Sequence, residues 1–292
     1  MSESNEDNSF NLSSVDTIVL SGGSYYGFKL FGTIREYIKE YDLCLNNVSE
    51  YYCTSVGGFV GTLLAIDIDH EYLYDYFINR PWDKHVSFGA DNLLNVYSKK
   101  GALSKDLFVT ILKPLFDFKD IDINCTLKDF YDITNTTIHY FHTKISGFKF
   151  IDANWKTQPT MKVIDALYAS CTIPYLFEPL WDGESFLIDG ALINNYPLVN
   201  AVRDTCDVLC ETDNPSKRTI LGLKFVFNDE LPTQTEEDSV LEYSFSLYGN
   251  IFAYLKNLQF TLNNNIDSFI DKLKNVHDTS YIKVYQTELK CE

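Results

Sequence analysis

One stretch, Tyr51-Tyr52-Cys53-Thr54-Ser55-Val56-Gly57-Gly58-Phe59-Val60-Gly61, constrains the fold more than any other. It reads as the end of a strand, one serine on a turn, and a glycine-rich helix start. A serine so placed is held at a helix N-terminus with its hydroxyl presented, the arrangement of a nucleophile elbow. The usual elbow is G-x-S-x-G; here Cys53 stands in the first glycine position and Gly57 in the second. Strand–turn–helix units pack as parallel α/β layers, so the segment sets both a fold class and a question: what else in the chain supplies a serine nucleophile?

The preceding segment has the same build. Asp16 to Leu20 is a short apolar strand of the buried parallel kind, followed by the small-residue turn Ser21-Gly22-Gly23-Ser24 and a helical spacing of Phe28, Phe31, Ile34 and Ile38. Two adjacent parallel strands end on one edge of the sheet. A glycine turn there can aim backbone N–H donors at the point where Ser55 stands, because no side chain blocks the approach. A dinucleotide fold would instead want G-x-G-x-x-G and an acid ending the second strand, which this chain lacks.

Downstream, the spacing predicts helices over 70–79, 104–116 and 161–170. It predicts a Thr126-x-x-Asp129 helix start, a hairpin from 137–143 to 148–151, a long strand over 219–227, a helical tract over 239–276 and a closing strand over 281–284. The expected organisation is a flexible tail over 1–15, a catalytic domain over 16–230, and a helical C-terminal extension over 231–292 packed on the same domain.

Composition narrows the function. A net charge of −17 argues against nucleic acid as a partner, since phosphate contacts need a basic face. The polar, acidic start lacks a secretory signal, and seven scattered cysteines read as reduced thiols without zinc spacing. Both point to a cytoplasmic, non-secreted protein. Three tryptophans, Trp82, Trp155 and Trp181, are candidates for covering a lipid pocket, with core packing the commoner role.

The base for Ser55 has two candidates. Five histidines are present, and a Ser…Asp…His order can be drawn through Ser55, Asp189 and His277, but the elbow then falls too early in the chain for an α/β-hydrolase. His139 and His142 fall on opposite faces of one strand and so make no metal pair. The other candidate is a carboxylate: Leu187-Ile188-Asp189-Gly190-Ala191 delivers an acid from an apolar run into a tight turn.

Four blocks together resemble the patatin-like phospholipase family. Leu20 to Gly27 is similar to its glycine-rich oxyanion block and Cys53 to Gly58 to its elbow. Ala169 to Pro179 is similar to its helix-end and proline segment, and Asp189 to Pro197 to its D-G-[GA] block. They occur in the family's order over residues 16–198. The resemblance implies an α/β/α three-layer fold around a mainly parallel sheet. It also implies a Ser55–Asp189 dyad, an oxyanion hole from Gly22, Gly23 and Ser24, and support from Cys53, Gly57 and Gly190. The implied activity is calcium-independent hydrolysis of phospholipid or other lipid acyl esters, with no cofactor and with peripheral membrane contact allowed. Two departures stand out: Ser24 and Tyr26 replace a glycine and a basic residue of the glycine-rich block, and Cys53 replaces the elbow's first glycine. Two other readings stay open, a catalytically silent binding protein on the same fold and a Ser–His esterase using His277. The oligomeric state stays open as well.

Overall fold

Short apolar strands that run into glycine turns have nowhere to go but the middle of a sheet, and that is where β1 (Thr17–Leu20) and β2 (Glu50–Thr54) lie, buried on both faces apart from the half-buried Glu50. The computed structural model describes residues 12–82, 96, 98–210, 218–227 and 282–291. In chain order the further elements are α1 (Gly27–Glu40), α2 (Val56–Ala65), α3 (His70–Ile78), β3 (Gly101–Leu103), α4 (Asp106–Phe118), α5 (Leu127–Thr134), β4 (Thr137–Lys144), β5 (Lys149–Ala153), α6 (Val163–Cys171), β6 (Tyr175–Phe177), β7 (Leu180–Trp181), β8 (Phe186–Asp189), α7 (Leu198–Cys210), β9 (Arg218–Phe227) and β10 (Ile282–Cys291). The start of α5 is the capping box read from Thr126 and Asp129, with both reciprocal hydrogen bonds formed.

Pairing runs β10-β9-β1-β2-β4-β8-β7, with β5 also on β4, and a separate two-stranded pairing joins β3 to β6. The contacts from β10 to β4 are parallel; those of β4 with β5 and β8, and of β8 with β7, are antiparallel. One face carries α1, α2, α4 and α6 over Tyr51, Cys53 and Tyr140; the other carries α7 over Val19, Tyr52, Phe141 and Ile220. This is the expected α/β/α layering.

The registers on β4 decide where the site forms. β2 pairs with residues 137–141 of β4, and β5 pairs with 140–144, so these two occupy opposite edges. β8 pairs with 142–144, also opposite β5, which puts β8 on the edge that β2 has just left. The two strands therefore meet end to end along β4. Thr54 lies across from Phe141 and Asp189 across from the next residue, His142.

Two boundaries differ from expectation. Leu12 and Val15 are fully buried, and the Leu12 N–H donates to the Tyr41 carbonyl at 2.9 Å, so the chain packs into the core before residue 16. The closing segment is a ten-residue strand rather than a four-residue one, because β9 offers it a continuous parallel edge from Arg218 to Phe227. The helical tract read over 239–276 lies outside the described residues.

Candidate active site

Ser55 sits between the end of β2 and the first turn of α2 with φ 55° and ψ −128°, a backbone conformation that non-glycine residues rarely adopt. Such strain costs about 1–3 kcal/mol and persists only where the surroundings fix it. Here Gly57 lets the start of α2 press on the end of β1: a Cβ at that position would stand 2.5 Å from the Leu20 carbonyl oxygen. From the other side, the Ser55 N–H donates to Ser170 Oγ at 2.9 Å, and Ser170 Oγ donates on to the Phe141 carbonyl at 2.7 Å. Ser170 was visible in the sequence only as part of a block; its bridging role depends on α6 passing behind the elbow.

Asp189 arrives from the opposite direction at the end of β8. Its backbone is tied down by the Asp189 N–H donating to the Thr172 carbonyl at 2.9 Å and by Thr143 Oγ1 donating to the Asp189 carbonyl at 3.0 Å. Its two carboxylate oxygens are divided. Oδ1 accepts from the Ala191 N–H at 2.8 Å, and Oδ2 accepts from Ser55 Oγ at 2.6 Å. Gly190 backs directly on the Phe141 carbonyl, where a side chain has no room. Ser55 is 4% exposed and Asp189 3%. Burial pushes the Asp189 carboxyl up to about 7, against the smaller opposing pull of the Ser55 hydroxyl and the Ala191 N–H. The acid is thus dry and bonded to a hydroxyl.

The glycine turn lies against the same point. A Cβ on Gly22 would meet the Asn195 side chain and come within 3.0 Å of the Ser55 Cβ. The Gly22 N–H donates to the Asn195 carbonyl at 3.1 Å, and Asn195 Nδ2 donates to the Gly22 carbonyl at 2.9 Å. Gly22 thus serves as the stapled hinge of the turn, and the Gly23 and Ser24 N–H groups follow it. Gly23 fits against the Phe225 ring, and Ser24 keeps a left-handed backbone, φ 51°, as a glycine in its place would. Cys53 is fully buried, facing Gly61, whose missing Cβ would lie 2.8 Å from the thiol sulfur. Asn195 was not singled out in the sequence; a paired asparagine after the Asp189 turn was its one signal.

An apolar cleft of about 70 Å³ opens from this turn between α1, α2 and α3, lined by Ser24, Val56, Phe28, Phe59, Leu63 and Phe77. Trp82 packs against Phe77 near it, Trp155 stacks on Tyr131 away from it, and Trp181 is exposed. His277 lies outside the described residues, and among the described ones no histidine is hydrogen-bonded to Ser55 or Asp189. His139 does share a grouping that could hold a metal ion, with Asp152 and Asp204, on the α7 face of the sheet. Its Nδ1 is already 2.8 Å from Asp152 Oδ2. Among the described residues no helix is long and apolar enough to cross a membrane.

The chain is 26% identical over 190 residues to "Probable lipid hydrolase 463L" of Invertebrate iridescent virus 6, covering 64% of this chain and 63% of that protein. It is 24% identical over 265 residues to "Uncharacterized protein R571" of Acanthamoeba polyphaga mimivirus, covering 89% of this chain and 80% of the relative. The chain thus spans less than two thirds of the length of the first of these. Among solved structures, VipD from Legionella pneumophila superposes with a TM-score of 0.45 at 13% identity, over 94% of this chain and 61% of that one. The type III effector ExoU superposes with a TM-score of 0.41 at 14% identity, over 84% and 54%. The sequence model described as "Patatin-like phospholipase" matches residues 18–202, from the second residue of β1 into α7 and more than half of the chain, so the chain belongs to the patatin-like phospholipase family.

Proposed function

We propose that this chain hydrolyses the fatty-acyl esters of lipids, phospholipids first among them, through a Ser55–Asp189 dyad. The observation that carries the reading is the 2.6 Å bond from Ser55 Oγ to an Asp189 carboxylate that no cation among the described residues neutralises. Asp189 Oδ2 takes the hydroxyl proton as Ser55 Oγ attacks the acyl carbonyl carbon. The resulting oxyanion is held by the Gly23 and Ser24 N–H groups, with the positive end of α2 close by. The tetrahedral species collapses, the carbon–oxygen bond to the lipid alcohol breaks, and Asp189 returns its proton to that oxygen. Water then attacks the acyl-Ser55, Asp189 takes the water's proton, and the fatty acid leaves as the proton passes back to Ser55. No step passes through a metal, so the reading predicts activity unchanged by chelator. The cleft lined by Phe28, Phe59 and Phe77 begins at the oxyanion turn and offers an apolar seat for the acyl carbons next to the ester.

The relative named as a probable lipid hydrolase supports the lipid substrate class. Ser24 supports an intact oxyanion turn, since the serine keeps the left-handed conformation in spite of its side chain. The test is release of fatty acid from phosphatidylcholine and from triacylglycerol by the wild type, Ser55→Ala and Asp189→Asn, with fluorophosphonate labelling in parallel. Wild-type turnover and labelling that both vanish in Ser55→Ala support the reading. A wild type that neither turns over nor labels makes the chain a silent binding protein, and turnover that survives Asp189→Asn removes the dyad.

A further inference from the structure

β4 runs three residues past the point where β2 stops, and β8 comes back along the same stretch. At about 3.3 Å per residue, the two turns at this end stand roughly 10 Å beyond Asp189, on the sheet edge that holds Ser55. These turns carry large apolar side chains in water. Trp181 is 54% exposed, Phe148 49%, Ile145 47% and Phe186 42%. Trp181 and Phe186 meet edge to face, with ring centroids 4.9 Å apart.

The turns are tied to each other. The Ile145 N–H donates to the Phe186 carbonyl at 3.0 Å, and the Ser146 N–H donates to Ser185 Oγ at 2.9 Å. Lys144 Nζ reaches Asp182 at 3.0 Å and Glu184 at 2.6 Å. Phe148 is held at φ 47°, a conformation an aromatic residue adopts only when its surroundings impose it. Apolar side chains held in water mark an interaction site.

We propose that this rim is an interfacial anchor that seats the active-site edge on the surface of a zwitterionic lipid bilayer. The proposal rests on the lipid-esterase reading for its purpose, though its test does not. Tryptophan and phenylalanine with half-exposed rings suit the headgroup–acyl boundary. Charge selects the kind of surface. Residues 144–149 and 181–186 hold two cations, Lys144 and Lys149, and two anions, Asp182 and Glu184, so the rim is locally neutral. The chain as a whole carries −17, which repels anionic membranes. Area decides against a second copy of the chain. Four half-exposed side chains of ~200 Å² offer about 400 Å², half of the ~800 Å² per partner that a stable protein interface buries.

The test uses the full chain carrying Ser55→Ala, so that binding is read without turnover. Co-sedimentation with phosphatidylcholine vesicles is expected, with less than a twofold change between 0.05 and 0.5 M NaCl. Adding Trp181→Ser and Phe186→Ser should lower the vesicle-bound fraction at least fivefold, while Trp181→Phe retains it. With Ser55 intact, the double rim variant should keep its rate on a soluble short-chain ester, which shows that the fold survives, and lose hydrolysis of vesicle lipid. No binding to phosphatidylcholine, binding to anionic vesicles alone, or unchanged binding by the folded double variant overturns the anchor. So does a dimer in light scattering that the rim substitutions dissolve. A parent chain that binds vesicles but hydrolyses no ester refutes the esterase reading and leaves the anchor standing.

Discussion

Two acids sit across from successive residues of β4, on opposite faces of the sheet: Asp152 opposite Phe141 and Asp189 opposite His142. Asp152 is partnered by a basic side chain, His139 Nδ1 at 2.8 Å, and the imidazole is stacked on Tyr52 at 4.0 Å. Asp189 has a hydroxyl and one backbone N–H and, among the described residues, no cation. On the α7 face one carboxylate oxygen of Asp152 meets an imidazole nitrogen, whereas on the α2/α6 face Asp189 meets only a hydroxyl and a backbone N–H among the described residues. A carboxylate that is paired holds structure together. One that is buried unpaired has its proton affinity raised, and that makes it a base. The same contrast holds for the two histidines of β4. His142, on the Asp189 face, has a buried Nδ1 without a partner among the described residues, and burial pulls it down to about 4.

The sharpest break of this comparison is in turnover. Asp189→Asn keeps the shape and can still accept the Ala191 N–H, but it cannot take the serine proton. It should lower kcat/KM on a soluble ester by about a thousandfold or more. Asp152→Asn, on the paired face, should change it less than about threefold. Comparable losses in the two variants would mean that the faces are not divided as the charges suggest.

Stability should move the other way. Asp189 binds its proton more tightly folded, at about 7, than the ordinary aspartate value near 4 of the unfolded chain. Its contribution is therefore full below about pH 4 and is lost as pH rises through about 7. The wild type forfeits up to about 4 kcal/mol at pH 8 by ionising a buried acid, as an order of magnitude. Asp189→Asn forfeits nothing, so urea unfolding at pH 8 should find the inactive variant the more stable, with the gap closing towards pH 4. His142 has the opposite sign: its folded value is depressed, so its contribution is lost as pH falls from about 6.5 to about 4. In the wild type the two slopes offset each other in that window, and Asp189→Asn should expose the acid-side fall. Wild-type turnover should rise through about pH 7 as Asp189 ionises, close to tenfold per pH unit below it.

Much of this division was legible in the sequence, and the illegible part has a physical reason. The elbow and the Asp189 turn show in the residues because each is local: a strand, a special backbone angle, a small neighbour. That Ser55 and Asp189 meet depends on β2 and β8 lying end to end on one edge of β4, a register no local pattern encodes. The use of Gly22 as a hinge was hidden for the same reason, because Asn195 comes from 173 residues away. The pairing of His139 with Asp152 needs the β4–β5 hairpin in register, which the sequence showed as a hairpin without its partners. The long closing strand was clipped because the polar run Gln286-Thr287-Glu288 breaks its apolar pattern, as suits a strand half in water.

A smaller effect tests whether the unpaired face also needs its scaffold. Ser170 Oγ accepts from the Ser55 N–H and donates to the Phe141 carbonyl, both buried. Ser170→Ala leaves both without a partner, which should cost about 1–3 kcal/mol of stability. It also relaxes the elbow, with an expected fall in kcat of about tenfold, read against an unchanged pH dependence because Asp189 keeps its burial. A shifted pH profile would mean that Ser170 tunes the acid as well as holding the serine.

The smallest change expected concerns Cys53, the residue that most visibly departs from the family's elbow. Its side chain points away from the reacting atoms, into the layer under α2, where the thiol fills the space left by the absent Cβ of Gly61. The two residues therefore fit each other: a larger side chain on the strand against a missing one on the helix. Cys53→Gly restores the usual elbow pattern and should do little for turnover, within about threefold. It should destabilise by about 1–3 kcal/mol through the cavity and the freer strand. Gly61→Ala alone should clash with the sulfur, and Cys53→Ala with Gly61→Ala should recover part of the loss, a coupling that a double-mutant cycle reads directly. A large gain in turnover from Cys53→Gly would show that the departure strains the elbow after all, and that the reactive face is tuned by its packing as much as by its uncompensated acid.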